Sequence, residues 1–329
     1  MRLEWEALSL RLVDPFRIAH GVSTTRDNVL VRIDGGLGEA AAVAYLGETQ
    51  GGIIEYLRGV DLGALSDPDA LRHVIAALPS GSAAARAAID MALHDLWGQR
   101  LGQPLYRLFG LDPARSPLTS FTIPLADPEW MAERARSSEH PILKIKLGTD
   151  GDGERLAAIR AATNVRLRAD ANAGWDLARA TQMLPELAAC GVELIEQPLP
   201  VGDLDGLRVL SRLRDRPPIF VDESIRHARD IALHAGLVEG VVIKLAKSGG
   251  VAGALEQIAV ARSLGLEVML GCMIESSLAV TAAAHIAPLV QHADLDGPLL
   301  IHPDPFTGVA YDRGRLVLPP GNGLGVKLA

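Results

Sequence analysis

Short apolar, β-branched runs recur through the later two thirds of this 329-residue chain, each closing on a polar or thiol side chain. The runs are SFTIPL, ILKIKL, VRLRADAN, VELIEQP, PIFVDES, GVVIKLAK, LEVMLGC and HADLDGP, and the closing marks fall at Thr122, Lys146, Asp170, Glu196, Asp222, Lys244, Cys272 and Asp294. Successive marks stand 22 to 28 residues apart. A period of about 25 residues holds one strand, one helix and two short loops. Alternation at that period requires a parallel sheet. A doubly wound open sheet shares it, but eight units and polar residues at the strand ends favour closure into a (β/α) barrel. Pro298, Pro303, Pro305, Pro319 and Pro320 crowd the stretch after Asp294. The expected fold is therefore α/β, a modified TIM barrel whose eighth unit is degenerate.

The first residues have a different texture. Leu8, Leu10 and Leu12 alternate with polar neighbours, and NVLVRI runs into the turn signal Asp34-Gly35-Gly36, which predicts antiparallel strands. From Ser82, apolar residues at Ala85, Ile89, Ala92, Leu93 and Leu96 mark one face of a helix ending near Gly102. Residues 1–115 are thus expected to form an α+β capping domain, 116–298 the barrel, and 299–329 a segment returning to the cap, with YDRGRLVL joining the N-terminal sheet as a strand.

Composition narrows the partners. Forty acidic against 32 basic side chains give a formal charge of −8, and no basic run offers a surface for nucleic acid or anionic membrane. Small molecules are the expected partners, and the sequence leaves a homo-oligomer open. Two cysteines, Cys190 and Cys272, are too few for a disulfide scaffold. Glu4 and Glu6 interrupt any signal-peptide core, so a cytoplasmic location is expected. The stretch Ser276–Ala293 reads as a buried helix rather than a membrane span.

Lys144 and Lys146, at i and i+2 on one strand, share a face, and in a closed barrel that face is the lumen. Two ammonium groups this close are expected to lower each other's pKa and provide a base. Asp170, Glu196 and Asp222 end three consecutive strands about 4.8 Å apart. Three oxygen donors without His or Cys favour a hard cation, Mg2+; singly, each would pass for a helix cap. Lys244 ends the sixth strand, opposite the second across an eight-strand ring, so Lys146 and Lys244 should face the two sides of a bound substrate. Lys247 reads instead as an exposed residue at the mouth of a loop. Asp294 and Asp296 share a face and suit a substrate ammonium, turn chemistry before Gly297-Pro298 being the alternative. Thr122 and Cys272 are candidate pocket residues or simply small core side chains, and no base is placed to activate either.

These motifs, in order, resemble the enolase superfamily, specifically its muconate-lactonizing subgroup and within it the dipeptide epimerases. The likeness spans AAIDMALHDLWGQRLGQPLYRLFG, the KIK pair, DAN, EQP, DES, IKLAKSGG, LGCM and ADLDGP. It implies Mg2+ on Asp170, Glu196 and Asp222, Lys146 and Lys244 as an acid/base pair, Lys144 assisting at the substrate carboxylate, and Asp294 and Asp296 on the α-ammonium of a dipeptide. The implied reaction is epimerisation by two-base 1,1-proton transfer through an enediolate. Members acting on Ala-Glu resemble one another in an arginine after the PFxIA segment. In PFRIAHGVSTTRDN that position falls on Ser23, with Arg26 three residues on as a candidate substitute, so a neutral or apolar second residue is as much expected as Glu. The subgroup's other reactions, N-acylamino-acid racemisation, o-succinylbenzoate synthesis and muconate cycloisomerisation, are disfavoured because their substrates lack the ammonium that the aspartate pair would serve. A retired scaffold would be expected to have lost ligands or lysines, and all five are present.

Overall fold

The computed structural model describes residues 1–62 and 71–329. Strands β1 (Leu3–Ile18), β2 (Gly21–Ile33) and β3 (Gly36–Ala40) form an antiparallel sheet in that order. Asp34 and Gly35, at φ 47 and 101, make its second turn, a left-handed conformation that glycine and aspartate tolerate. Helices α1 (Gln50–Arg58), α2 (Leu71–Ala77) and α3 (Ala83–Leu101) complete the cap. Ser82 accepts the Ala85 N–H to start α3, and Gly102 at φ 64 ends it, as the pattern predicted. The helix lies so close on the sheet that a Cβ at Gly38 would sit 1.9 Å from the Ala88 carbonyl oxygen. Val29, Val31, Ile33, Ile89 and Leu93 are buried between them.

A short helix α4 (Leu105–Leu108) leads to the barrel. Its strands are β4 (Phe121–Ile123), β5 (Ile142–Lys146), β6 (Arg166–Asp170), β7 (Val192–Glu196), β8 (Ile219–Val221), β9 (Gly240–Lys244), β10 (Glu267–Gly271) and β11 (His292–Asp294). The helices between are α5 (Pro128–Ser137), α6 (Asp152–Ala162), α7 (Leu177–Ala189), α8 (Leu204–Leu210), α9 (Ala228–His234), the short α10 (Leu245–Ser248) with α11 (Val251–Ser263), and α12 (Ser277–Ile286). All eight sequence runs are strands, parallel and adjacent in chain order. Thr119 pairs in parallel with Ala293, and the Ser120 N–H donates to the Ala293 carbonyl at 3.2 Å, bringing the first strand against the last.

Period-two alternation sorts the side chains. Leu143, Ile145, Leu167, Ile195, Val241 and Ile243 pack outward in the main core, while Leu194, Phe220, Val242 and Met269 form a separate apolar layer within the lumen. A Cβ at Gly240 would lie 2.2 Å from the Phe220 ring, so only glycine leaves room for this floor. Buried Arg168 adds to the floor: Nη1 donates to the Ala293 carbonyl at 2.9 Å, and Nε donates to Glu193 at 2.8 Å. A closed floor confines chemistry to the C-terminal mouth.

After β11 a 3-10 turn, Gly297–Leu300, stands where a long helix would be, as expected of a degenerate unit. The expected return of YDRGRLVL to the N-terminal sheet is corrected. With β12 (Phe306–Thr307) before them, β13 (Ala310–Asp312) and β14 (Arg315–Val317) pair with each other. Arg313 and Gly314, at φ 46 and 80, form a tight turn that favours the local hairpin. Its Gly314 carbonyl accepts the Thr119 N–H, docking the hairpin beside the barrel. The tail meets the cap elsewhere, through the Leu12–Ile301 bridge and a His302 N–H donated to Arg11 at 2.9 Å, while β15 (Lys327–Leu328) pairs with β12. Every residue of α12 is buried, and no described helix is long and apolar enough to cross a membrane.

Candidate active site

Strand register brings the chemistry together. Lys146 lies beside Asp170, and Asp170 beside Glu196, at the ends of β5, β6 and β7. On the other side of the ring Lys244, Gly271 and Asp294 end β9, β10 and β11 in the same way. Asp222 follows β8 directly. Strands β5 and β9 are four apart in the eight-strand sheet, which sets Lys146 and Lys244 opposite each other.

Ammonium and carboxylate groups interleave at this level. Lys144 Nζ lies 2.7 Å from Glu196, 2.8 Å from Asp294 and 3.1 Å from Asp170. Lys146 Nζ donates to Asp170 at 2.6 Å and Lys244 Nζ to Asp222 at 2.7 Å. Burial opposes ionisation of Asp170, but Lys146 and Lys144 outweigh it and hold its carboxyl well below the usual range. Asp222 is depressed in the same way, by Lys244 and Lys247 against burial. Glu196 goes the other way: burial and then Asp170 push its carboxyl far up, because its compensation from Lys144 is shared with two other carboxylates.

The expectation that Lys144 and Lys146 would lower each other's pKa is corrected at Lys144. Burial lowers it, but Asp294, Glu196 and Asp170 raise it well above the ordinary lysine value. Lys244 is likewise raised, by Asp222 and then Tyr45 against burial. A buried ammonium takes its pKa from its nearest charges, and here these are carboxylates. Lys247 is also corrected. It is buried, not exposed: α10 turns it back so that Nζ donates to the Asp222 carbonyl and carboxylate. Burial, with Lys244 nearby, lowers its pKa, so the depression foreseen for Lys144 falls on Lys247.

Over these groups lies a cavity of about 520 Å³. The barrel contributes Thr122, Lys144, Lys146, Lys244, Cys272, Asp294 and Asp296, and the cap contributes Arg26 and Tyr45 among others. Asp296 accepts the Thr122 N–H at 2.6 Å; burial and then Asp294 push its carboxyl up to about 6. Asp294 also accepts Ser120 Oγ–H at 2.6 Å, a partner that sequence reading missed although Ser120 stands two residues before Thr122 in the first strand run. Burial and then Asp296 raise the Cys272 thiol well above its ordinary value, so it is no thiolate nucleophile. The PFRIAHGVSTTRDN stretch is a hairpin of β1 and β2. Arg26 lies within it, partly desolvated with its pKa lowered by burial, and donates to Ser23 Oγ. The two positions weighed for a substrate contact are thus in contact.

Among the described residues no three acidic, histidine or cysteine side chains gather closely enough to form a ready metal cage. Lysine ammoniums account for this, each drawing a carboxylate oxygen toward itself. The donor set nonetheless fits a hard cation. In buried Glu196, Oε1 has no partner and Oε2 has only the Lys144 ammonium at 2.7 Å, an under-satisfied state for a buried carboxylate, and all three groups offer only oxygen.

Three strand-end carboxylates between opposed lysines, under an α+β cap, define a class of acid–base barrel enzymes. Residues 6–110 match the mandelate racemase / muconate lactonizing enzyme N-terminal domain, and residues 129–329 match the enolase C-terminal domain-like family. The chain is 38% identical to the L-Ala-D/L-Glu epimerase of Bacteroides thetaiotaomicron, over 99% of this chain and 88% of that protein. It is 38% identical to the hydrophobic dipeptide epimerase of Roseobacter litoralis, over 98% of each. The solved dipeptide epimerase of Enterococcus faecalis, complexed with Mg and L-Leu-L-Tyr, superposes with a TM-score of 0.92 at 32% identity, covering 99% of this chain and 98% of that one. The chain belongs to the mandelate racemase / muconate lactonizing enzyme family of the enolase superfamily.

Proposed function

We propose that this protein is a Mg2+-dependent dipeptide epimerase that inverts the α-carbon of the C-terminal residue. One observation carries the reading: Lys146 and Lys244 stand on strands four apart in the ring and both reach the same cavity. Asp170, Glu196 and Asp222 are the proposed Mg2+ ligands. Bound there, the ion would supply Lewis acidity at the substrate carboxylate.

One lysine takes the α-proton as the Cα–H bond breaks, and the electron pair moves into the carboxylate. The other lysine, as an ammonium, returns a proton to the opposite face. Lys144 adds positive charge at the carboxylate, where negative charge grows. Asp296 is the proposed partner of the α-ammonium, a reading supported by its position with Asp294 on the cavity wall. Arg26 lines the cavity and among the described residues donates only to the neutral Ser23 hydroxyl and Thr25 carbonyl, with no ion pair, which supports an acidic side chain at the second residue.

The test is α-proton exchange in D2O with a mixed dipeptide library, with and without Mg2+. Mg2+-dependent incorporation at the C-terminal residue is expected; no incorporation with any dipeptide would overturn the reading.

A further inference from the structure

The loop after β10 forms part of the pocket wall with Met273 and Ile274, yet much of what holds it comes from the cap. Glu39, on β3, is fully buried. Its carboxylate accepts the Ser276 N–H at 3.2 Å on each oxygen, the Ser276 Oγ–H, and Asn28 Nδ2–H at 2.7 Å. Ser276 in turn caps α12, accepting the Leu278 N–H at 3.2 Å. Asn28, on β2, also donates to the Ile274 carbonyl at 3.4 Å and accepts the Ala42 N–H at 3.1 Å. Two cap side chains therefore grip both ends of the short stretch Ile274–Ser276.

We infer that Glu39 is a positioning residue for the substrate pocket, fixing the Met273–Ser276 wall from the cap side. A single carboxylate engages the Ser276 N–H and Oγ–H, for which no other acceptor is seen among the described residues, and shares Asn28 Nδ2 with the Ile274 carbonyl, so its loss leaves buried donors unpaired. The proposed metal ligands lie on β6, β7 and just after β8, away from this joint, so Glu39 should govern fit rather than metal binding. The kinetic part of the test rests on the dipeptide reading; the exchange part does not.

Hydrogen–deuterium exchange and steady-state kinetics of Glu39→Gln, which keeps size but turns an amide donor toward Ser276, provide the test. Expected are at least tenfold faster exchange at residues 273–278 with β5–β7 unchanged, and a KM raised about tenfold with kcat and Mg2+ affinity within threefold. Should that variant fail to fold, Ser276→Ala, which removes one donor, is expected to show the same pattern at smaller amplitude. Unchanged exchange at 273–278 would overturn the inference. So would faster exchange with unaltered KM, or a uniform fall in KM, kcat and Mg2+ performance, either of which makes Glu39 merely structural. If wild-type protein turned over no dipeptide, the functional reading would fail, and exchange alone would decide whether Glu39 holds the wall.

Discussion

Lys144 and Asp294 form an ion pair of 2.8 Å across the seam of the barrel. In the sheet order β11 is one end strand and β5 lies beside β4, the other, so the two come together only because the first strand meets the last. The pair is deeply buried, with Lys144 also against Asp170 and Glu196. Lys144→Met would leave these carboxylates short of a cation, and removing one partner of a buried pair costs about 3–5 kcal/mol. Chemical denaturation of the metal-free protein is expected to show a loss in that range; a loss below about 1 kcal/mol would mean that the network rearranges without cost.

Glu196, whose Oε1 has no partner and whose Oε2 meets only the Lys144 ammonium, marks the proposed metal centre. Chelation is expected to stop α-proton exchange and added Mg2+ to restore it. Glu196→Gln keeps the shape and removes the charge, and it is expected to weaken Mg2+ binding at least about tenfold, read by calorimetry. Equal affinity in the variant would remove Glu196 from the ligand set.

Glu275 gives the fold a pH dependence. Burial, and then Glu39, push its carboxyl up to about 8 from an ordinary value of 4.5, with the Met273 N–H and Lys244 pulling the other way. The folded state thus holds a proton that the unfolded chain releases. Its contribution to stability is full below about 4.5 and is lost as pH rises toward about 8. The Tm of the wild type is expected to fall across pH 5–8, and Glu275→Gln to flatten that fall; parallel curves for the two proteins would refute it.

Arg26 is the proposed selector of an acidic second residue. Hydrogen bonds to a charged group are worth about 1.5–3 kcal/mol. Arg26→Leu is therefore expected to lower kcat/KM for L-Ala-L-Glu by roughly 10- to 100-fold while changing that for L-Ala-L-Leu little. An equal effect on both substrates would assign Arg26 to the hairpin's structure instead.

The barrel was legible because its physical demand is repetitive: each strand must show apolar residues to the helices, so all eight runs carried the signal. Lys144, Lys146, Asp170 and Glu196 were legible for a related reason, since charged residues on strands without a wet face must enter the lumen. Electrostatics were not. The direction of the Lys144 pKa depends on Asp294, which lies 150 positions away and reaches it only through closure. Lys247 was misjudged because α10, one turn long, is too short to leave a periodicity. The β13–β14 hairpin shows the same limit: alternation identifies a strand but not its partner.

The central claim is that Lys146 and Lys244 act on opposite faces of one carbon. It is tested most directly by following α-proton exchange in D2O, by NMR, for each enantiomeric form of one dipeptide with Lys146→Ala and Lys244→Ala. Both variants are expected to lose epimerisation, with any residual exchange confined to one enantiomer and to opposite enantiomers in the two variants. Exchange of both enantiomers by either variant, or full epimerisation by both, would contradict the two-base account.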